Sequence, residues 1–174
     1  MSTIHLIEGP VGAGKSTYAA RLGLENGAAH LDLDEWMVTL FRPDRPETDF
    51  LAWYSERKER CIEQIWLVAL ELLHKGNAVI LELGLVQKAA REAFYRRIDG
   101  SDFELKVYWL DTPKEARWQR VVARNAQSES DPESTLKMQV SEEVFTMANA
   151  AWQEPDSQES VSYTHLTLPT ILLV

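Results

Sequence analysis

Only one cysteine, Cys61, occurs in the 174 residues, so neither an intrachain disulfide nor a thiolate zinc site is available. A lone thiol suits a reducing compartment, and its position in a helical pattern makes Cys61 a packing residue. Cations are scarce as well: 18 lysines and arginines face 27 aspartates and glutamates, a formal net charge of −9. That balance argues against a broad electropositive surface for duplex nucleic acid, and an anionic ligand must be met by locally clustered cations. No apolar run approaches the ~20 residues of a membrane span. Met1 to Glu8 lacks the basic segment, apolar core and small-residue cleavage site of a secretory leader. The expectation is a soluble, cytoplasmic protein without a membrane partner. Internal repeats are absent too. With 45% hydrophobic and 26% charged residues, the composition is that of one compact domain able to bury a core.

What the chain does contain is a regular alternation of strand-like and helix-like segments. Ile4 and Leu6 lie in a short apolar strand that stops at Gly9, and Lys15 to Leu24 reads as a helix. A second strand over about Ala28 to Leu33 leads into a helical patch from Trp36 to Phe41, which Arg42-Pro43-Asp44-Arg45-Pro46 breaks into a loop. From about Asp49 to Lys75, Ile62, Ile65, Ala69 and Leu72 share a helical face, and Gly76 marks the stop. Ala78 to Leu83 is apolar except for Glu82, as in a strand of a parallel sheet covered on both faces. A helix over Gln87 to Arg97, a strand over Phe103 to Leu110 and helices over Pro113 to Asn125 and Ser141 to Trp152 complete the pattern. Ala126 to Pro132 is polar and without period, which predicts a loop.

Gly9-Pro10-Val11-Gly12-Ala13-Gly14-Lys15-Ser16 satisfies G-x-x-x-x-G-K-[ST], directly after a predicted strand and opening a predicted helix. This is the context in which the pattern cradles phosphates. Glycines at 9, 12 and 14 let the backbone curl so that amides face phosphate oxygens, and the helix N-terminus adds its positive dipole end. Lys15 brings a cation to the β- and γ-phosphates, Ser16 a hydroxyl for Mg²⁺, and Thr17 a donor for the α-phosphate. The cofactor expectation is ATP with Mg²⁺.

A second acid is needed to hold the metal, and Glu82, the only charge in its apolar strand, is the candidate. Asp32 and Asp34 fall at the end of the second strand, two apart and therefore on one side while the strand persists. Either could accept the proton of an attacking hydroxyl, and one of them could instead cap the helix that follows. Arg117, Arg120 and Arg124, at i, i+3 and i+7, put three cations on one helical face that could close on a triphosphate. Arg91 is a weaker candidate for holding an anionic substrate group. Trp36, Trp53 and Tyr54 could line an acceptor pocket, with core positions expected for at least two.

With these residues in place, the chain resembles the small bacterial P-loop kinases and AAA-type ATP-binding proteins related to polynucleotide kinase, chloramphenicol phosphotransferase and zeta toxin. The carriers are Gly9 to Thr17, Asp34-Glu35-Trp36-Met37, Leu81-Glu82-Leu83-Gly84 with Arg91, Leu110-Asp111-Thr112-Pro113 with Arg120 and Arg124-Asn125, and Trp152-Gln153-Glu154-Pro155-Asp156. The resemblance implies a three-layer α/β P-loop fold whose parallel sheet has about five strands, the P-loop strand central. It implies Asp34 as the general base and Arg120 and Arg124 as lid arginines. The activity it implies is transfer of the γ-phosphate of ATP to a hydroxyl of a small metabolite or antibiotic. A nucleic-acid 5'-hydroxyl is the alternative acceptor, less favoured because no basic stripe with interleaved aromatics occurs. A nucleotide-dependent switch or ATPase is the rival from another class, against which stands the lack of Asn-Lys-x-Asp and of Leu-Ser-Gly-Gly-Gln. A binding-only protein is the third reading.

Val161 to Val174 carries no Asp, Glu, Lys or Arg, and its first ten residues resemble the in-frame translation of a transposon adapter used in preparing DNA sequencing libraries. The expectation is a kinase-like domain over 1–160 and a foreign tail over 161–174, which leaves open whether the native fifth strand that should follow Pro155 is present.

Overall fold

The computed structural model describes residues 1–130, 139–159, 161 and 163–167. Five strands, β1 (Thr3–Glu8), β2 (Ala29–Asp32), β3 (Val79–Glu82), β4 (Glu104–Asp111) and β5 (Tyr163–Thr167), form one sheet in the order β2-β3-β1-β4-β5. Every pairing is parallel, and β1 is central. The helices are α1 (Lys15–Asn26), α2 (Leu33–Phe41), α3 (Phe50–His74), α4 (Lys88–Tyr95), α5 (Lys114–Ser130) and α6 (Glu142–Ala151).

Alternation along the strands sorts the core into layers. Ile4, Leu6, Val79 and Leu81 point to the face covered by α2, α3 and α4, where they pack with Met37, Ile65, Ala69, Leu73 and Phe94. Ile7 and Ile80 point to the other face, against Ala19 and Leu22 of α1. Both faces are thus covered, which is the three-layer α/β P-loop fold expected. Cys61 is a buried packing residue on α3, as its helical position predicts.

Several boundaries differ from the sequence reading. The second strand stops at Asp32 and α2 starts at Leu33, because the Asp32 carboxylate accepts from the Asp34 amide at 2.8 Å and caps the helix. Arg42–Asp44, expected as loop, winds into one 3₁₀ turn. α5 runs on to Ser130 through the start of the predicted loop; residues 131 and 132 of that loop lie outside the described residues. A fifth strand is present, in agreement with the expected sheet of about five. Tyr163–Thr167 pairs with β4 from Val107 to Asp111, with Tyr163 reaching one core layer and Leu166 the other. Residues 162 and 168–174 of the supposed tail lie outside the described residues. Among the described residues no helix is long and apolar enough to cross a membrane.

Candidate functional site

The loop between β1 and α1 is built by its neighbours as much as by its glycines. Gly12 and Gly14 take φ of 78° and 95°, the left-handed region that only glycine enters cheaply. At Gly12 a Cβ would also stand 2.7 Å from the Arg117 carbonyl oxygen, so α5 packs directly on the loop. Arg117 donates to the Val11 carbonyl at 3.1 Å, while Arg120 and Thr112 donate to that of Ala13 at 3.1 and 3.3 Å. Since a trans peptide points its N–H opposite its C=O, outward carbonyls at 11 and 13 turn the Gly12 and Gly14 amides into the loop. Lys15 rests on the loop itself, its ammonium 3.3 Å from the Pro10 carbonyl.

Ser16, in the first turn of α1, donates to Glu82 Oε1 at 3.2 Å. Glu82 is 5% exposed at the end of β3, and its Oε2 has no hydrogen-bond partner. Burial alone would push this carboxyl up, but His30, Lys15 and Ser16 outweigh it and hold it below the ordinary value. A buried, ionised carboxylate with an unsatisfied oxygen beside a hydroxyl is a donor set that a divalent cation would complete. Ser16 and Glu82 therefore fit the Mg²⁺ role predicted for them.

Register brings two more groups to the same corner. Asp32 is paired with Glu82 across β2 and β3, and His30 lies two residues back on the same face. His30 Nε2 is 3.4 Å from Glu82 Oε2. Burial and the Glu82 charge raise Asp32 to about 6.

Asp34 lies in the first turn of α2, not on the strand end, so the shared side predicted for Asp32 and Asp34 does not hold. The Asp34 residue keeps solvent exposure overall, while its carboxyl is partly withdrawn from water by the protein around it. Burial and then Glu82 raise its pKa, against the pull of Lys15, Lys58 and Arg124. Asp34 thus feels the charge of the P-loop lysine and of two further cations. Lys58, on α3, donates to the Gly84 carbonyl at 2.8 Å, and burial lowers its pKa. Burial likewise lowers Arg124, with Asp34 acting against it.

The three predicted arginines thus divide their work along α5. Arg117 and Arg120 hold the loop backbone, and Arg124 feels the charge of Asp34. Arg91 is corrected outright: it is fully buried on α4, in a two-pronged pair with Glu159 at 2.6 and 2.9 Å, with Tyr163 also donating to Glu159. It cannot reach a substrate. Trp36 and Tyr54 pack against the main core, and Trp53 stacks under Arg57.

Sequence reasoning missed Lys58, Glu8 and His30. Lys58 precedes Ile62 and Ile65 by four and seven residues, so it lies on the apolar stripe of α3, where a lone cation is itself a signal. Glu8 ends β1 in the way Glu82 ends β3. It is 2% exposed, its Oε1 has no partner, and burial pushes its pKa to about 8.

A family model described as an AAA domain matches residues 4–155. No curated protein matches the chain. Among solved structures it is similar to a provisionally named kinase of Chloroflexus aurantiacus, 14% identical, covering 95% of this chain and 85% of that one, TM-score 0.70. A sugar kinase of Janibacter sp. HTCC2649 is 15% identical, with 98% and 88% covered and a TM-score of 0.62. The Mycobacterium tuberculosis APS kinase, solved with AMPPNP and APS, is 18% identical, with 95% and 88% covered and a TM-score of 0.59. At these identities the likeness is one of fold.

Proposed function

The chain belongs to the AAA domain family, and from that premise we propose that it is an ATP-dependent phosphotransferase acting on a hydroxyl of a small-molecule acceptor. The observation that carries this reading is Asp34: a carboxylate with a raised pKa, in the electrostatic reach of Lys15, Lys58 and Arg124. Such an acid can take the proton of an attacking hydroxyl. The kinase names borne by three proteins of the same fold support the reading.

In this mechanism the Gly12 and Gly14 amides and Lys15 bind the phosphates of ATP, which supplies the phosphoryl group. A divalent cation held by Ser16 and Glu82 neutralises phosphate charge when bound. Asp34 accepts the proton of the acceptor hydroxyl, for which a pKa above the usual carboxylate range suits it. Arg124, which feels the charge of Asp34, would meet charge on the group in transit. Lys58 and the Gly84 carbonyl it holds form the acceptor's side wall. The net charge of −9 favours a small acceptor over nucleic acid.

Transfer from labelled ATP is measured against aminoglycosides, chloramphenicol, nucleosides, sugars and 5'-hydroxyl oligonucleotides. A labelled small molecule is expected. Asp34→Asn lowers its formation by about 10²–10⁴-fold, the range for losing a general base, with ATP affinity retained. Undiminished transfer by Asp34→Asn refutes the assignment, and hydrolysis with no labelled acceptor refutes the kinase reading.

A further inference from the structure

The corner where β2 meets β3 holds more donors than phosphate chemistry uses. His30, Asp32 and Glu82 each turn one ligand atom into a space where all three lie within 4.8 Å of one another. Glu82 divides its oxygens. Oε1 accepts from Ser16, on the side of the P-loop, whereas Oε2 faces His30. The Glu82 side chain is 7% exposed, yet its Oε2 and the facing His30 Nε2 are both buried without an aligned hydrogen-bond partner. The two atoms stand at ion-pair distance without an aligned hydrogen bond, so each keeps a position that a third partner can fill.

We propose that His30 Nε2, the Asp32 carboxylate and Glu82 Oε2 form a site for a first-row divalent transition ion of the Mn²⁺ to Zn²⁺ series, separate from the cation carried with the nucleotide. An imidazole nitrogen with two carboxylates is a borderline donor set that suits these ions, whereas Mg²⁺ keeps to oxygen and water. One separation matches: ligands about 2.1 Å from a tetrahedral ion stand about 3.4 Å apart. The His30–Glu82 separation is already 3.4 Å. The backbone pre-forms the arrangement. Asp32 and Glu82 are register partners in adjacent parallel strands, His30 shares their face, and the cap bond to the Asp34 amide fixes Asp32 through its Oδ1. Two protein carboxylates balance the charge of a divalent ion, and the open coordination positions belong to water. The site stands whether or not the protein transfers phosphate.

The test uses untagged full-length protein, free of nucleotide and stripped with a chelator, titrated with Co²⁺ and followed by visible absorption and calorimetry. One equivalent is expected to bind with the d–d bands of a low-coordinate ion, and equimolar Mg²⁺ does not displace it. Loss of an outer-shell partner alone costs about 10–100-fold in metal affinity, so His30→Gln weakens Co²⁺ binding at least about tenfold and abolishes the bands. Ser16→Ala leaves both in place, which separates this site from the nucleotide's cation. As a check independent of the variant's folding, Zn²⁺ raises the melting temperature of the parent protein. Absence of one-equivalent uptake, uptake undiminished in His30→Gln, or displacement by equimolar Mg²⁺ would each overturn the proposal.

Discussion

Glu159→Gln is the perturbation that most sharply separates architecture from chemistry in this protein. Arg91 and Glu159 bury both side chains completely, with Arg91 Nη2 2.6 Å and Nε 2.9 Å from the two carboxylate oxygens. Burial alone would pull the guanidinium down, and Glu159 more than offsets it, holding Arg91 above its ordinary pKa. The variant keeps the shape of the side chain but removes the charge, leaving a guanidinium among Leu85, Trp152 and the Tyr residues of α4 and β5. Stranding one partner of a buried pair costs about 3–5 kcal/mol. At about 2–4 °C per kcal/mol for a domain of this size, the melting temperature falls by roughly 6–20 °C. Urea unfolding followed by circular dichroism reads the free energy, and calorimetry reads the shift. The double variant Arg91→Met, Glu159→Leu recovers most of the loss, because an apolar pair of similar volume carries no desolvation penalty. ATP affinity, measured well below the transition, stays at the parent value, since neither residue touches the P-loop. A loss under about 1 kcal/mol, the value of an exposed pair, would refute the buried-pair argument, and lost ATP affinity at unchanged stability would return Arg91 to the substrate site.

Two further predictions concern the loop and the strand that feeds it. Gly12→Ala drives a methyl to within 2.7 Å of the Arg117 carbonyl at φ +78°, so the loop must shift and ATP affinity falls at least tenfold, about 1.4 kcal/mol. Gly27→Ala, at φ +62° with open space around it, costs about 1–2 kcal/mol of stability but no affinity, and equal affinities in the two variants would undo the packing argument. Glu8→Gln tests the buried acid of β1. The folded group titrates at about 8 against 4.5 in the unfolded chain, so between those values the folded protein holds a proton that the unfolded one has released. That contribution to stability falls as pH rises. The variant is expected to match the parent near pH 5 and exceed it at pH 8.5 in urea midpoint, and a constant difference across that range would show that Glu8 does not titrate.

The P-loop, the β–α alternation and the buried strand-end Glu82 were legible because each is local: a spacing of glycines, a period, one charge in an apolar strand. The setting of Asp34 was not, since whether a strand ends at residue 32 or 34 turns on a single cap bond from Asp32. Arg91 misled because a cation eight residues beyond Leu83 says nothing of Glu159, 68 positions away. His30 became visible only through β2–β3 register, which no sequence period encodes. The fifth strand was left open because its residues look foreign, and only its pairing with β4 from Val107 to Asp111 reveals it.

The arrangement of α5 has a consequence for how donor and acceptor are brought into line. Arg117 grips the P-loop and Arg124 feels the charge of Asp34, so seven residues of one helix, about 10 Å at 1.5 Å each, link the two. Such a strut works as a ruler. Its length is set by the pitch of the helix, and its two ends cannot be tuned independently. Any tilt of α5 moves the phosphate cradle and the cation over Asp34 together, so the spacing between the reacting groups is a property of one rigid body.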